Sequence, residues 1–325
     1  MTCSDLEAAA LHDEHFRKVK KDGSAQIVNA PHLLTPIADS HAHLQLLADP
    51  ALALARAGAH QIAFIETIVD VVEDGSATFD DLASWTKRAQ LLVRQMGSLC
   101  CGQAPYDVPQ VRIACGVHPH NAKDWTDGVE RELTWRLHDL RVSALGEIGL
   151  DYHYDLSPRE AQQRVFARQL ELAREAGLPV ILHVREAFED AYAIMQEVGW
   201  DQAGVLLHCY TSDVHEVARW VDAGCFVAFG GALTFASSDA IREAIRAVPP
   251  ARLLLETDAP YMAPVPLRGQ ACEPAQVVFT AEHACAEVLG DEADQEMRVR
   301  LLADTYRNAL GLLDRPPTAW QREGE

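Results

Sequence analysis

Basic residues are scarce in this chain: 28 Lys and Arg stand against 48 Asp and Glu, a formal net charge of −20 over 325 residues. A binder of long duplex needs a basic face, because phosphate contacts supply most of its affinity. Tight, non-specific duplex binding is therefore excluded. A small phosphorylated substrate, or a strand end held by metal ions, is not. Paired cysteines are also lacking. The eight cysteines stand at 3, 100, 101, 115, 209, 225, 272 and 285, with no Cys-x-x-Cys and no regular spacing. They form no disulfide framework and read as free thiols, with Cys115 and Cys225 in apolar runs that belong in a core. No apolar run reaches membrane-spanning length, and Met1 to Ala10 has neither the basic stretch nor the apolar core of a secretory signal. The expectation is a cytoplasmic protein without a membrane partner.

What is present is a rhythm. After an extension over residues 1–35, short apolar runs alternate with longer helical stretches. Eight strands are predicted: Ile37–His41, Gln61–Glu66, Val111–Gly116, Val142–Glu147, Pro179–His183, Gly204–His208, Cys225–Phe229 and Arg252–Glu256. Uninterrupted apolar runs fit parallel strands buried on both faces. Eight strand–helix alternations predict a single α/β domain over residues 36–313, a (β/α)₈ TIM barrel; a doubly wound open sheet shares the same periodicity.

Local signals set further expectations. Leu6 to Lys21 is rich in helix formers. Ser157-Pro158-Arg159-Glu160 reads as a capping box with Pro at the first helical position, opening a helix that stops at Gly177. Residues 70–110 form an insertion between the second and third strands, with a helix over Phe79–Met96 and a loop carrying Cys100, Cys101, Gly102 and Pro105. Pro274–Leu313 reads as two closing helices, and the polar tail of residues 314–325 as frayed.

The strand ends carry the chemistry. Roughly one His-x-His pair is expected by chance among fourteen histidines, and the chain has two, His41/His43 and His118/His120. Position adds what the motif lacks. Residues i and i+2 of a strand share a face, and barrel active sites lie at the C-terminal strand ends. The other ends deliver Glu147, His183, His208 and Asp258. Imidazoles and carboxylates gathered in one partly buried cup need compensating charge, which divalent cations supply. A mixed nitrogen and oxygen set suits Zn, Mn, Co or Fe(II) better than Mg. Cys209 alternates away from His208 and reads as core.

Seven stretches together resemble the TatD family of metal-dependent deoxyribonucleases, within the amidohydrolase-like barrels. They are Asp39-Ser40-His41-Ala42-His43-Leu44, Gly116-Val117-His118-Pro119-His120, Gly146-Glu147-Ile148-Gly149-Leu150-Asp151-Tyr152, Gln163 to Gln169, Leu178 to Arg185, Leu207-His208-Cys209-Tyr210, and Glu256-Thr257-Asp258-Ala259-Pro260-Tyr261. The resemblance implies two divalent metal ions. His41, His43 and Asp258 would hold the first, His183 and His208 the second, and Glu147 would bridge them. Asp258 would also orient or deprotonate the attacking water, and His118, His120 and Arg185 would contact substrate. The implied activity is phosphodiester hydrolysis at nucleic-acid ends. Gln45, the Cys209-Tyr210-Thr211-Ser212 run and Ala271-Cys272-Glu273-Pro274 depart from the family pattern. They fall in loops that shape the cleft and so bear on substrate choice. Two other readings keep the same ligands. The site could cleave a non-nucleic-acid ester or amide, including aminoacyl-tRNA esters, or the metals could be structural in a non-catalytic protein. Activity on ester substrates without phosphate separates the first, and metal binding without hydrolysis the second.

Overall fold

The computed structural model describes residues 16–99, 107–290 and 292–323. A short antiparallel hairpin, β1 (Arg17–Val19) and β2 (Ala25–Ile27), precedes the main body. There follow β3 (Ile37–Ala42), α1 (Pro50–Ala59), β4 (Ile62–Asp70), α2 (Ala77–Leu99), β5 (Gln110–Gly116), α3 (Asp127–Leu137) and β6 (Val142–Asp151). The second half runs α4 (Arg159–Ala176), β7 (Val180–Arg185), α5 (Phe188–Val198), β8 (Val205–Leu207), α6 (Val214–Asp222), β9 (Phe226–Phe229), α7 (Asp239–Ala247) and β10 (Leu253–Leu255). Three helices close the chain: α8 (Val277–Leu289), α9 (Gln295–Leu313) and α10 (Ala319–Arg322).

From β3 to β10 each strand pairs in parallel with the next in sequence. The seam between β10 and β3 is closed beyond the strands by a parallel bridge, Ala42 to Ala259. Around it Ser40 Oγ donates to Leu255 O (3.1 Å), Asp258 N to His41 O (2.9 Å) and His43 N to Ala259 O (2.7 Å). An open doubly wound sheet has no such seam. The architecture is the expected TIM barrel, with the hairpin extension and the long α2 early in the barrel.

The interior is filled by side chains from every strand of the barrel, including Ala38, Phe64, Ile181, Leu206 and Leu254. Ala309, Leu312 and Leu313 of α9 join the same cluster. Asn308 of α9 donates to Pro250 O and Leu253 O at the start of β10. This helix therefore floors the barrel at the N-terminal strand ends, leaving the other mouth for chemistry. A larger apolar layer packs the strands' outer faces against the helices, with Trp220, Phe166 and Ile65 fully buried.

Several local expectations are corrected. Arg17–Val19 is strand, not helix, because Asp22 and Gly23 turn the chain: Ser24 N donates to Asp22 Oδ1 (2.9 Å) and Gly23 takes φ +81°. Leu6 to His15 lies outside the described residues, as does the loop with Cys100, Cys101, Gly102 and Pro105. Ser157 caps no helix. Its hydroxyl donates to His120 O (2.7 Å) and accepts from Lys123 N (3.0 Å), and Pro158 occupies the cap position itself. The 70–110 span is filled by α2, longer than expected and packed on α1, with Arg88 paired to Asp49 at 2.7 Å. β4 and β6 each run four residues further than the apolar runs suggested, to Asp70 and Asp151. As far as Glu323 the tail is docked and not frayed. Trp320 stacks on His138 at 3.7 Å, and Gln321 is buried with Nε2 within reach of Leu137 O (3.1 Å), Asp139 O (3.3 Å) and Val142 O (3.0 Å).

Two outcomes follow for stability. Gln321→Ala leaves buried carbonyls without a donor and should cost about 1–3 kcal/mol in denaturant unfolding; no change would mean the tail is undocked in solution. Glu66, fully buried against Ser143, is pushed up to about 8 by burial, so it folds neutral. The folded state then holds a proton that the unfolded state releases above its ordinary value. This contribution is full at acid pH and is lost as pH rises toward 8. Glu66→Gln should therefore flatten the fall in melting temperature between pH 5 and 8, and an unaltered pH profile would refute it.

Candidate metal centre and cleft

The barrel mouth gathers polar side chains through specific backbone devices. On β3 the buried Asp39 carboxylate accepts Thr257 N (2.8 Å) and Thr257 Oγ1 (2.6 Å), tying His41 to the segment after β10. Asp258 then adopts left-handed backbone (φ +59°) and turns its carboxylate inward. On β6 the register with β7 slips between Gly146 and Ile148. The residue left over is Glu147, and such a bulge re-aims a side chain. On β7, His183 shares the inward face of Ile181; His208 follows Leu206 by two residues, just past β8.

The six expected ligands converge. Glu147 Oε1 lies 2.5 Å from His183 Nδ1 and 2.7 Å from His208 Nε2, while Glu147 Oε2 lies 3.5 Å from His41 Nε2. Asp258 Oδ1 is 3.6 Å from His43 Nε2 and 3.9 Å from His41 Nε2. The donor atoms of His41, His43 and Glu147 all lie within 4.8 Å of one another, as do those of His118, Glu147 and His183, and those of His41, His208 and Glu256. Two of these clusters share Glu147, the arrangement of a binuclear divalent-metal site.

The electrostatics fit cations. Burial alone would raise Glu147, but His208, His118 and His183 outweigh it and hold the carboxyl well below its usual range. Burial also opposes ionisation of Asp258, which His43, His41 and His208 overcome. Burial, then the neighbouring His208, lowers His41 and keeps it neutral, with both ring nitrogens lacking a hydrogen-bond partner. Burial pushes His118 down to about 4. Burial would lower His43, His183 and His208 too, but Asp258 for the first and Glu147 for the others turn the shift upward. Imidazoles beside buried carboxylates form a borderline donor set for Zn, Mn, Co or Fe(II), whose binding would displace the imidazole protons.

Above this centre opens a cavity of ≈ 540 Å³, lined among others by His43, Asp70, His118, His120, Arg185 and Tyr261. His118 and His120 sit on the loop after β5, held by Asp70 Oδ2, which accepts His118 N (2.8 Å). Arg185 lies over the Tyr154 ring at 4.7 Å. Cys209 is corrected: it is half-buried and lines the cleft rather than the core. The strand alternation fails because its backbone turns left-handed (φ +44°) as its N–H donates to Glu256 Oε1 (2.7 Å). Burial holds its thiol well above the ordinary value, so it is no thiolate nucleophile.

Five acids at the site are not marked by the sequence. Asp151 and Glu256 lie inside the recognised stretches, but a motif does not say which way a side chain points. Asp70, Glu73 and Asp74 lie at or beyond the unexpected end of β4. A strand continuing into polar residues carries no apolar signal by which to find it.

The matches to known proteins agree with this geometry. Residues 38–301 match the family model described as TatD related DNase. The metal-dependent hydrolase YcfH of Escherichia coli K12 is 42% identical over 173 residues, 53% of this chain and 64% of the relative, so the alignment spans less than two thirds of that protein. The metal-dependent hydrolase TatD of Mycobacterium tuberculosis is 30% identical over 295 residues, covering 88% of this chain and 99% of the relative. The crystal structure of YJJV, a TatD homolog from Escherichia coli K12, superposes with a TM-score of 0.71 over 86% of this chain and 98% of that one, and at 24% identity it speaks for the fold. A barrel with imidazole clusters sharing one glutamate, matched over most of its length by one family model, places this chain in the TatD-related family of metal-dependent hydrolases.

Proposed function

We propose that the cleft hydrolyses phosphodiester bonds at the ends of single-stranded nucleic acid, or in a small phosphorylated substrate of the same kind. The observation that carries this reading is the sharing of Glu147 between two imidazole clusters below a cleft whose rim holds Arg185 without an ion pair among the described residues. In a chain of net charge −20 such a cation has many carboxylates available and takes none of them. A relative from Klebsiella pneumoniae, 36% identical over 154 residues, is named a 3'-5' ssDNA/RNA exonuclease. Strand ends also suit a protein whose surface repels long polyanions.

The placement of the side chains supports the following roles. His41, His43 and Asp258 would hold one cation, His183 and His208 the other, with Glu147 between. Two divalent ions so held would supply Lewis acidity toward a water and a phosphate. Asp258, kept ionised and partly open to the cleft, accepts the proton of the attacking water and returns it to the leaving group. His118 Nδ1 accepts His120 N (3.2 Å), so its proton sits on Nε2, which faces Glu147 Oε1 at 3.6 Å. A protonated nitrogen cannot ligate a metal. Although His118 lies close enough to join the second cluster, this makes it a neutral donor to a phosphate oxygen. His120 and Arg185 complete the phosphate contacts.

One observation favours a second reading. Asp70, Glu73 and Asp74 form an acidic wall of the cleft, better suited to an ammonium group than to phosphate. An aminoacyl ester would place its amine there.

The manganese-loaded protein should release mononucleotides from a single-stranded oligonucleotide. Asp258→Asn should lower kcat by about 10²-fold or more. Silence with Mn, Zn, Co and Mg alike, together with turnover of an aminoacyl ester, transfers the assignment to the second reading. Arg185→Ala should raise KM for the oligonucleotide about 10-fold with kcat nearly kept; an unchanged KM would take Arg185 out of the binding site.

A further inference from the structure

Asp151, at the far end of β6, is a fully buried carboxylate that faces two imidazoles. Its Oδ2 lies 2.8 Å from His120 Nε2 and 3.2 Å from His183 Nε2. Its Oδ1 accepts His153 N (3.0 Å) and Tyr154 N (2.9 Å), and Gln162 fastens its backbone by accepting Asp151 N (2.8 Å). A carboxylate that receives four N–H groups is an acceptor only. Both imidazoles must therefore donate to it from Nε2. For His183 the consequence is directional: with Nε2 held as a donor, Nδ1, which lies 2.5 Å from Glu147 Oε1, is the atom left for a cation to take in place of a proton.

We propose that Asp151 is a positioning residue that locks His183 in the tautomer able to ligate the second cation, and by the same carboxylate fixes His120 at the cleft wall. The proposal rests on the reading that His183 belongs to the second metal. His183 would then bind through Nδ1, whereas His208 points Nε2 at the same Glu147 oxygen and turns Nδ1 toward Glu256 (3.6 Å). The two ligands of one ion would use opposite ring nitrogens, and only His183 needs Asp151 to do so. Carboxylates behind ligating histidines commonly set both ring orientation and basicity.

Asp151→Asn is the informative change. The amide keeps an oxygen for the two backbone N–H groups, so the turn is retained. Its NH₂ faces His183 and His120 as a donor and drives the imidazole proton to Nδ1, where a cation must bind. Asp151→Ala removes the acceptor without imposing the wrong tautomer.

Chelator-stripped protein titrated with MnCl₂, with free Mn²⁺ followed by electron paramagnetic resonance, should show two sites. In Asp151→Asn one site should weaken about 10- to 100-fold and the other stay unchanged. Asp151→Ala should lose less, and His120→Ala should keep both. Two sites of wild-type affinity in Asp151→Asn overturn the proposal. So does a larger loss in the alanine variant, which is the order expected of a merely structural carboxylate. Histidine-¹⁵N NMR of the zinc-loaded protein reads the ring nitrogen directly: Nε2-protonated, Nδ1-ligated His183 in the wild type, and that signature lost in Asp151→Asn. If the wild type takes up fewer than two ions, the binuclear reading fails, and the NMR result alone upholds or overturns the role of Asp151.

Discussion

A buried negative charge organises this molecule. Glu147 is inserted into the barrel by a register slip, and around it stand imidazoles from β3, β7, the end of β8 and the loop after β5. An isolated carboxylate at such a place would cost several kcal/mol in lost hydration. The surrounding histidines keep it ionised, and its two oxygens face two different clusters. Placing divalent cations between these groups completes the neutralisation that the protein alone leaves partial.

That arrangement requires a rigid frame, which the barrel supplies at its seam. Asp39 reaches across from β3 to Thr257, so the first and last strands are tied by the same residues that lead into His41 and Asp258. At the opposite end α9 fills the floor with Ala309, Leu312 and Leu313. Apolar packing is thus concentrated below, and the ionisable groups are left to one mouth. Buried acids behind the histidines, Asp151 and Glu256, extend the polar network outward.

Charge at the rim is mixed. Arg185, steadied over Tyr154, offers a cation on one side, while Asp70, Glu73 and Asp74 line another. Gln45 takes part in shaping that acidic wall, since its amide donates to Ile68 O and to Asp74 Oδ2 at 2.8 Å each. At Gln45, one of the departures from the family pattern, the change therefore bears on a wall of the cleft and not on a candidate metal ligand. Among the described residues no helix is long and apolar enough to cross a membrane.

The amino-acid sequence alone determined the barrel and which six side chains, the candidate ligands, meet at its mouth. Strand cores such as Val180 to Leu182 and Val205 to Leu207 are apolar on both faces, and a residue ending such a run has only the barrel mouth to enter. What lay beyond the apolar signal was decided by tertiary contacts. The added length of β4 and β6, the inward turn of Cys209 and the docking of Gln321 all depend on hydrogen bonds to residues distant in the chain. The choice of ring nitrogen at each histidine is of the same kind. Hydrophobic periodicity is a local property and can be read along one strand, whereas the direction of a polar side chain is set by whichever partner the fold brings within 3 Å.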